Sequence, residues 1–232
     1  MKEQVIYEVL RVIEGKPLFL EKHIERMSNS FRIINKEMPF SDGEITEKLK
    51  ELIDKENKKE GNIKITYSIN KKELNMFFIK HSYPDKKMYE NGVKTILYFG
   101  ERNNPNAKIV NDDFRAGVNE KIKENNAYEA ILVDRNGYIT EGSRSNIFMV
   151  KGDTVITSPL KAVLPGVTRS TILEVLKENN IKILEQEYSY KDIGELDGMF
   201  ISGTSPKVLP INAVDDIKIN EKNVMVKNIM EK

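Results

Sequence analysis

The chain has 232 residues, no cysteine, no tryptophan, and 37 Lys+Arg against 36 Asp+Glu for a formal net charge of +1. That length allows one large domain or two modest ones with a real core. The lack of cysteine excludes disulfide staples, Cys-ligated zinc, iron–sulfur clusters and thiol catalysis, and fits a reducing, cytoplasmic location. Balanced charge gives no field toward nucleic acid or an anionic membrane, and no apolar run nears the roughly 20 residues of a bilayer span, so neither partner is expected. Met1-Lys2-Glu3-Gln4 lacks the basic start and apolar stretch of a signal peptide, and no cleavage is expected.

Val5–Ile13 alternates, with Tyr7, Val9, Arg11 and Ile13 on one face and Ile6, Glu8, Leu10 and Val12 on the other, which predicts a strand. Leu20, Ile24, Met27, Phe31 and Ile34 recur at helical spacing and predict a first helix. Ser41 followed by Glu44 forms a capping box for a second helix with Ile45, Leu49, Leu52 and Ile53 on its apolar stripe. Strand patterns follow over Ile63–Ile69 and Leu74–Lys80, then over Val93–Phe99. Asn136-Gly137 between Ala130–Val133 and Tyr138–Thr140 predicts a type I′ hairpin, and Lys151-Gly152-Asp153 marks another tight turn, between Asn146–Val150 and Val155–Thr157. A further helix starts near Gly166, buries Val167, Ile172, Leu173 and Leu176, and ends at Asn179-Asn180. The expected organisation is a small α/β domain over 1–84, a linker over 85–92 and a larger, β-rich domain over 93–232, a mixed α/β (α+β) class.

The chain carries no Gly-x-Gly-x-x-Gly, no Walker loop and no His-Glu-x-x-His, and its two histidines, His23 and His81, are far apart, so zinc hydrolysis and a serine triad are poor fits and no metal site is expected. Other segments carry chemistry. Thr140-Glu141-Gly142-Ser143-Arg144-Ser145-Asn146 sets a carboxylate before a small-residue turn. Leu164-Pro165-Gly166-Val167-Thr168-Arg169 offers open amides and a hydroxyl at a helix start, where a phosphate is favoured, and Gly203-Thr204-Ser205 offers a second anion nest. Taken singly, each has a plain reading: Thr168 and Thr204 as a cap or turn hydroxyl, Glu141 as a solvated strand end, Arg26 as an exposed arm pairing with Glu21 or Glu25, Lys108 as surface charge, His23 as a partly buried structural residue.

Taken in order, these segments resemble the class IV aminotransferases, the pyridoxal-phosphate family of branched-chain and D-amino acid aminotransferases and aminodeoxychorismate lyase. The resemblance covers nearly the whole chain: Ile6-Tyr7-Glu8-Val9, Leu20 to Ser30 with His23 and Arg26, Thr140 to Phe148, Leu164 to Arg169, and Gly203-Thr204-Ser205 through Pro210-Ile211 and Val214-Asp215. It implies a two-domain fold with the cofactor between a small and a larger domain, and usually a homodimer. By the same resemblance Lys108 is the Schiff-base lysine and Glu141 the partner of the pyridinium nitrogen. Arg26, Val167, Thr168 and Thr204, with Gly166, form the phosphate cradle; Asn146 orients the ring or Glu141, and Tyr7 is the substrate-pocket aromatic. The implied activity is ping-pong transfer of an amino group between an amino acid of branched-chain or D-amino acid type and a 2-keto acid. The alternatives are an aminodeoxychorismate lyase and a non-catalytic cofactor binder. Departures from the family pattern are the absence of Gly-Asp-Gly before Tyr7, Asp112 after Asn111 where many relatives have tyrosine, and the lack of an Arg-Gly or Arg-x-His between Ile63 and His81 to fix a substrate carboxylate.

Overall fold

A computed structural model describes residues 3–232, which form two compact units. The first runs to Ser82 and takes in Asn106–Val110; the second comprises Tyr83–Pro105 and Asn111–Lys232.

In the first unit, β1 (Val5–Ile13), β2 (Lys16–Pro17), β3 (Gly61–Ser68) and β4 (Glu73–Ile79) form an antiparallel sheet in the order β2-β1-β3-β4, with α1 (Leu20–Ile33) and α2 (Asp42–Glu56) on it. The sequence periods explain the packing. Period two in β1 and β3 buries Ile6, Leu10, Val12, Ile63, Ile65 and Tyr67, and helical spacing buries Ile24, Met27 and Phe31 of α1 and Ile45, Leu49 and Ile53 of α2 against them. The Ser41/Glu44 capping box is formed in full: each side chain meets the other's backbone amide. Residues 106–110 return to this unit and pair with the start of β1, through Tyr7 N–H to Lys108 O at 3.0 Å and Val110 N–H to Val5 O at 3.0 Å. The lysine segment therefore belongs with the smaller unit, although the sequence reading grouped it with residues 93–232.

The second unit contains α3 (Lys86–Asn91), β5 (Val93–Phe99), α4 (Asp112–Glu124), β6 (Glu129–Val133), β7 (Ile139–Gly142), β8 (Asn146–Lys151), β9 (Thr154–Thr157), α5 (Val167–Glu178), β10 (Lys182–Glu185), β11 (Gly198–Gly203), β12 (Lys207–Val214), β13 (Ile217–Lys218) and α6 (Val224–Glu231). Its sheet runs β10-β9-β8-β11-β12-β5-β6-β7, with β13 on β12. Strands β6 and β9 are buried along their whole length, as is β8 up to Lys151, because helices or other strands cover both faces. Helices α5 and α6 pack on Phe148, Val150, Val155 and Phe200, and α4 packs on Ile96, Ala130 and Leu132.

Three local outcomes differ from the sequence reading. The segment 85–92 is not a plain linker: Asp85 caps the helix α3, its side chain accepting the Met88 N–H at 2.9 Å. The hairpin at Asn136-Gly137 is not type I′, since only Gly137 has positive φ (83°); the Asp134 carboxylate accepts the Asn136 and Tyr138 amides and favours a three-residue loop closed by that glycine. Helix α4 falls where the sequence reading assigns no element, although Asn111 caps it and Phe114, Val118 and Ile122 repeat every fourth residue. No helix among the described residues is long and apolar enough to cross a membrane.

Candidate active site

Alternation in β1 puts Glu8 on the buried face with Ile6, Leu10 and Val12, and its exposure is 0%. A carboxylate can stay ionised there only if charge and donors replace water. One turn of α1 supplies both. Arg26 Nε donates to Glu8 Oε1 at 2.8 Å and Nη2 to Oε2 at 2.5 Å, while His23 Nδ1 meets Oε2 at 2.9 Å. Burial pushes the Glu8 carboxyl up, but the charge and hydrogen bonds of Arg26, the His23 bond and the charge of Lys108 outweigh it and hold the group at about 2. Burial pushes the His23 imidazole below its ordinary value despite Glu8, so the ring is neutral near pH 7. Because an ionised carboxylate only accepts, His23 carries its proton on Nδ1.

Ser30, also fully buried, ties this group to Lys108: its hydroxyl donates to the Arg26 carbonyl at 3.0 Å and accepts the Lys108 N–H at 3.1 Å. The Lys108 backbone is thus fixed by Ser30 on α1 and by Tyr7 on β1, and its ammonium lies 5.0 Å from the centre of the Tyr7 ring. The first unit therefore brings Tyr7, Arg26 and Lys108 together. Arg26 is not an exposed arm bonded to Glu21 or Glu25; it is 7% exposed and clamped by Glu8.

In the second unit the other residues meet around the start of α5. Glu141, 3% exposed, accepts Arg102 Nη1 on Oε1 at 2.8 Å and the Leu164 N–H on Oε2 at 2.9 Å. Asn146 donates through Nδ2 to the Leu164 carbonyl at 3.0 Å, so both polar groups of one peptide segment are held by the two side chains that flank the 142–145 turn. That turn wraps Glu129, whose carboxylate accepts from Ser143 Oγ at 2.6 Å, Ser145 Oγ at 3.0 Å and the Ala130 and Arg144 amides. Gly166 then opens α5 without a side chain to cap it, and an added Cβ there would lie 2.1 Å from Asn146 Oδ1. Val167 and Thr168 occupy the first turn of this 12-residue helix, where backbone amides and the dipole favour an anion. Ser202, paired with Asn146 across β11 and β8, is fully buried and its hydroxyl has no hydrogen-bond partner among the described residues. Thr204 lies two residues beyond it, in a turn where Gly203 approaches the Arg144 carbonyl.

These observations fit a phosphorylated pyridine cofactor. A helix start kept clear by glycine, nearby hydroxyls and a buried hydroxyl lacking a partner suit a phosphate, and a buried, doubly anchored carboxylate suits a protonated ring nitrogen. Among the described residues no group of His, Cys, Asp or Glu could hold a metal. The sequence reading missed Arg102, Glu129 and the importance of Glu8; only Glu8 carried a visible sign, a charge in register with an apolar stripe.

A family profile for class IV amino-transferases matches residues 5–214. A D-alanine aminotransferase from Bacillus licheniformis is 28% identical over 229 residues, covering 90% of this chain and 78% of its own length. Among solved structures, a presumed branched-chain amino acid aminotransferase from Thermotoga maritima superposes with a TM-score of 0.88 at 29% identity, covering 98% of this chain and 84% of that one. A presumed 4-amino-4-deoxychorismate lyase from Legionella pneumophila shares the fold, with a TM-score of 0.89 at 20% identity and coverage of 98% and 89%. The chain belongs to the class IV aminotransferases, an enzyme family that depends on pyridoxal phosphate.

Proposed function

We propose that this protein binds pyridoxal 5′-phosphate through Lys108 and moves an amino group between an amino acid of branched-chain or D-amino acid type and a 2-keto acid. The observation that carries the reading is the placement of Lys108: its backbone is fixed by Tyr7 and Ser30 while its amine stands over the Tyr7 ring. When bound, the cofactor supplies an electron sink for the charge that develops at the substrate Cα. Lys108 Nζ, beside the Tyr7 ring, would take the proton from the substrate Cα and hold it for return, acting as base and then acid at one atom. Glu141, kept in place by Arg102 and the Leu164 amide, accepts the ring N–H. Arg26, oriented by Glu8, and the start of α5 at Gly166-Val167-Thr168, with Thr204, bind the phosphate dianion. Asn146 holds the Leu164 carbonyl and so the entry to α5.

The same proposal places the enzyme in a reducing cytoplasm as a homodimer, in line with the family resemblance; sedimentation at micromolar concentration tests the dimer. The functional test is the absorption of the cofactor-loaded protein while L- and D-amino acids are added one at a time. Bleaching of the near-visible band by particular amino acids, with release of the matching keto acid, is the expected result. A band that no amino acid disturbs, with pyruvate released from aminodeoxychorismate, would make the protein a lyase.

A further inference from the structure

The turn that carries Thr204 is short and strained. Thr204, Ser205 and Pro206 join the paired ends Gly203 and Lys207, and Lys207 enters β12 with φ at 53°, a left-handed conformation that side chains other than glycine rarely adopt. The peptide between Pro206 and Lys207 sets that angle, so whatever fixes the Pro206 carbonyl fixes the turn. Proline has no N–H, and this carbonyl is the one hydrogen-bonding group that Pro206 owns. It accepts the hydroxyl of Tyr89, 117 positions away in the chain, at 3.0 Å. Helix α3 holds that hydroxyl still. Asp85 caps its start, and at its end Asn212 Nδ2 donates to the carbonyls of Asn91 at 2.8 Å and Gly92 at 3.1 Å. The Met88 and Tyr89 side chains pack on the core to which Ile201, Leu209 and Ile211 belong. This one short helix therefore clips β12 twice, through Asn212 near its finish and through Pro206 just before its start. Within the turn the packing is close: a Cβ added at Gly203 would meet Pro206 Cγ at 3.3 Å and the Arg144 carbonyl oxygen at 3.6 Å.

We propose that Tyr89 is a positioning residue for the cofactor phosphate, acting through the Pro206 carbonyl on the turn that presents Thr204. The proposal rests on the aminotransferase reading, in which Thr204 binds the phosphate of pyridoxal phosphate. Thr204 stands two residues before Pro206. In a loop this short, closed by the Gly203–Lys207 pair, rotation of the Pro206–Lys207 peptide carries the Thr204 hydroxyl and the neighbouring amides with it. A cradle holds a dianion tightly when its donors already stand where the oxygens will lie, and freedom in one turn lowers affinity for the phosphate while leaving the contacts of the ring as they were. Loss of the Tyr89 hydroxyl thus has a signature of its own, a weakening confined to the phosphate group.

The test uses Tyr89→Phe, which deletes only the hydroxyl. Tyr188→Phe is the control, since the Tyr188 hydroxyl donates to the Asp192 carbonyl at the same 3.0 Å. Equilibrium dialysis of the full chain gives Kd for pyridoxal 5′-phosphate and for pyridoxal, the same aldehyde without the phosphate. The net worth of a neutral hydrogen bond corresponds to about 3- to 10-fold in Kd. Tyr89→Phe should weaken pyridoxal phosphate by that factor and leave pyridoxal binding, and kcat at saturating cofactor, within about twofold. Tyr188→Phe should change neither Kd by more than about twofold. Combined with Thr204→Ala, Tyr89→Phe should add less than about twofold, because changes that act on one contact do not add. Equal weakening of both aldehydes, a matching loss in Tyr188→Phe, or a full effect that persists in Thr204→Ala would reveal general loosening and overturn the proposal. An unchanged Kd in Tyr89→Phe, beside a wild type that prefers the phosphorylated aldehyde, removes Tyr89 alone and leaves the cofactor reading standing. If the wild type binds pyridoxal as tightly as pyridoxal phosphate, the phosphate cradle is wrong, and the cofactor reading and the proposal fall together.

Discussion

Replacing Glu8 by Gln removes one charge and almost no volume from the most buried polar cluster of the first unit. The Glu8 oxygens accept from Arg26 Nε, Arg26 Nη2 and His23 Nδ1, so an amide NH₂ in place of either oxygen sets donor against donor. It also leaves the Arg26 guanidinium, 7% exposed, without its counter-charge. Breaking a buried pair in this way costs about 3–5 kcal/mol. Proton linkage of the same group leads to a similar magnitude. The Glu8 carboxyl lies at about 2 in the folded protein against an ordinary 4.5, a depression equivalent to about 3 kcal/mol at roughly 1.4 kcal/mol for each pH unit. Its folded value is the lower one, so this stability is fully present above pH 4.5 and is lost as pH falls toward 2. His23, also depressed, subtracts stability first, as pH drops below its unfolded value of 6.5. Urea unfolding of wild type and Glu8→Gln, followed by circular dichroism from pH 7 to pH 3, is the assay. The variant should lose about 3–5 kcal/mol at pH 7 and show a flatter decline below pH 4.5. A loss under about 1 kcal/mol with an unchanged acid limb would refute the argument that Glu8 is ionised and bears the charge of Arg26.

Gly166→Ala drives a methyl group into Asn146 Oδ1 at 2.1 Å, so the hold of Asn146 on Leu164 must give way; cofactor affinity should fall at least about tenfold in equilibrium dialysis, with a stability loss of about 1–3 kcal/mol. Glu141→Gln keeps the shape beside Arg102 but removes the charge, and single-turnover absorption should show Cα deprotonation slowed at least about 100-fold while cofactor affinity changes less than tenfold. Arg26→Ala should release cofactor and also destabilise the fold by about 3–5 kcal/mol, because Glu8 stays behind without its main partner; cofactor loss with unchanged unfolding would show that Glu8 is not held by Arg26.

Elements fixed by local periodicity and capping were legible from the residues alone. β1, α1 and α5 begin or end within a residue or two of their sequence limits, since alternation, four-three spacing and the Gly166 start are local signals. At Asn136-Gly137 the dipeptide alone points to the wrong turn type, because a carboxylate outside it, Asp134, selects the turn. The return of residues 106–110 to the first unit was invisible, because the pairing of Lys108 with Tyr7 joins positions about 100 apart in the chain. The candidate site residues Glu141, Asn146, Val167, Thr168 and Thr204 stand in short motifs that can be read along the chain. Glu8, Ser30, Arg102 and Glu129 act through other groups, and the contacts that give them meaning, such as Ser30 between Arg26 and Lys108, exist only in three dimensions.

The central claim is that Lys108 carries the cofactor, and one measurement addresses it directly. Protein loaded with pyridoxal phosphate is reduced with borohydride, digested, and mapped by mass spectrometry, with Lys108→Ala treated in parallel. The account predicts a phosphopyridoxyl group on the peptide holding Lys108 and none in the variant, which should still fold. A label on another lysine, or a near-visible band that survives in Lys108→Ala, would contradict it.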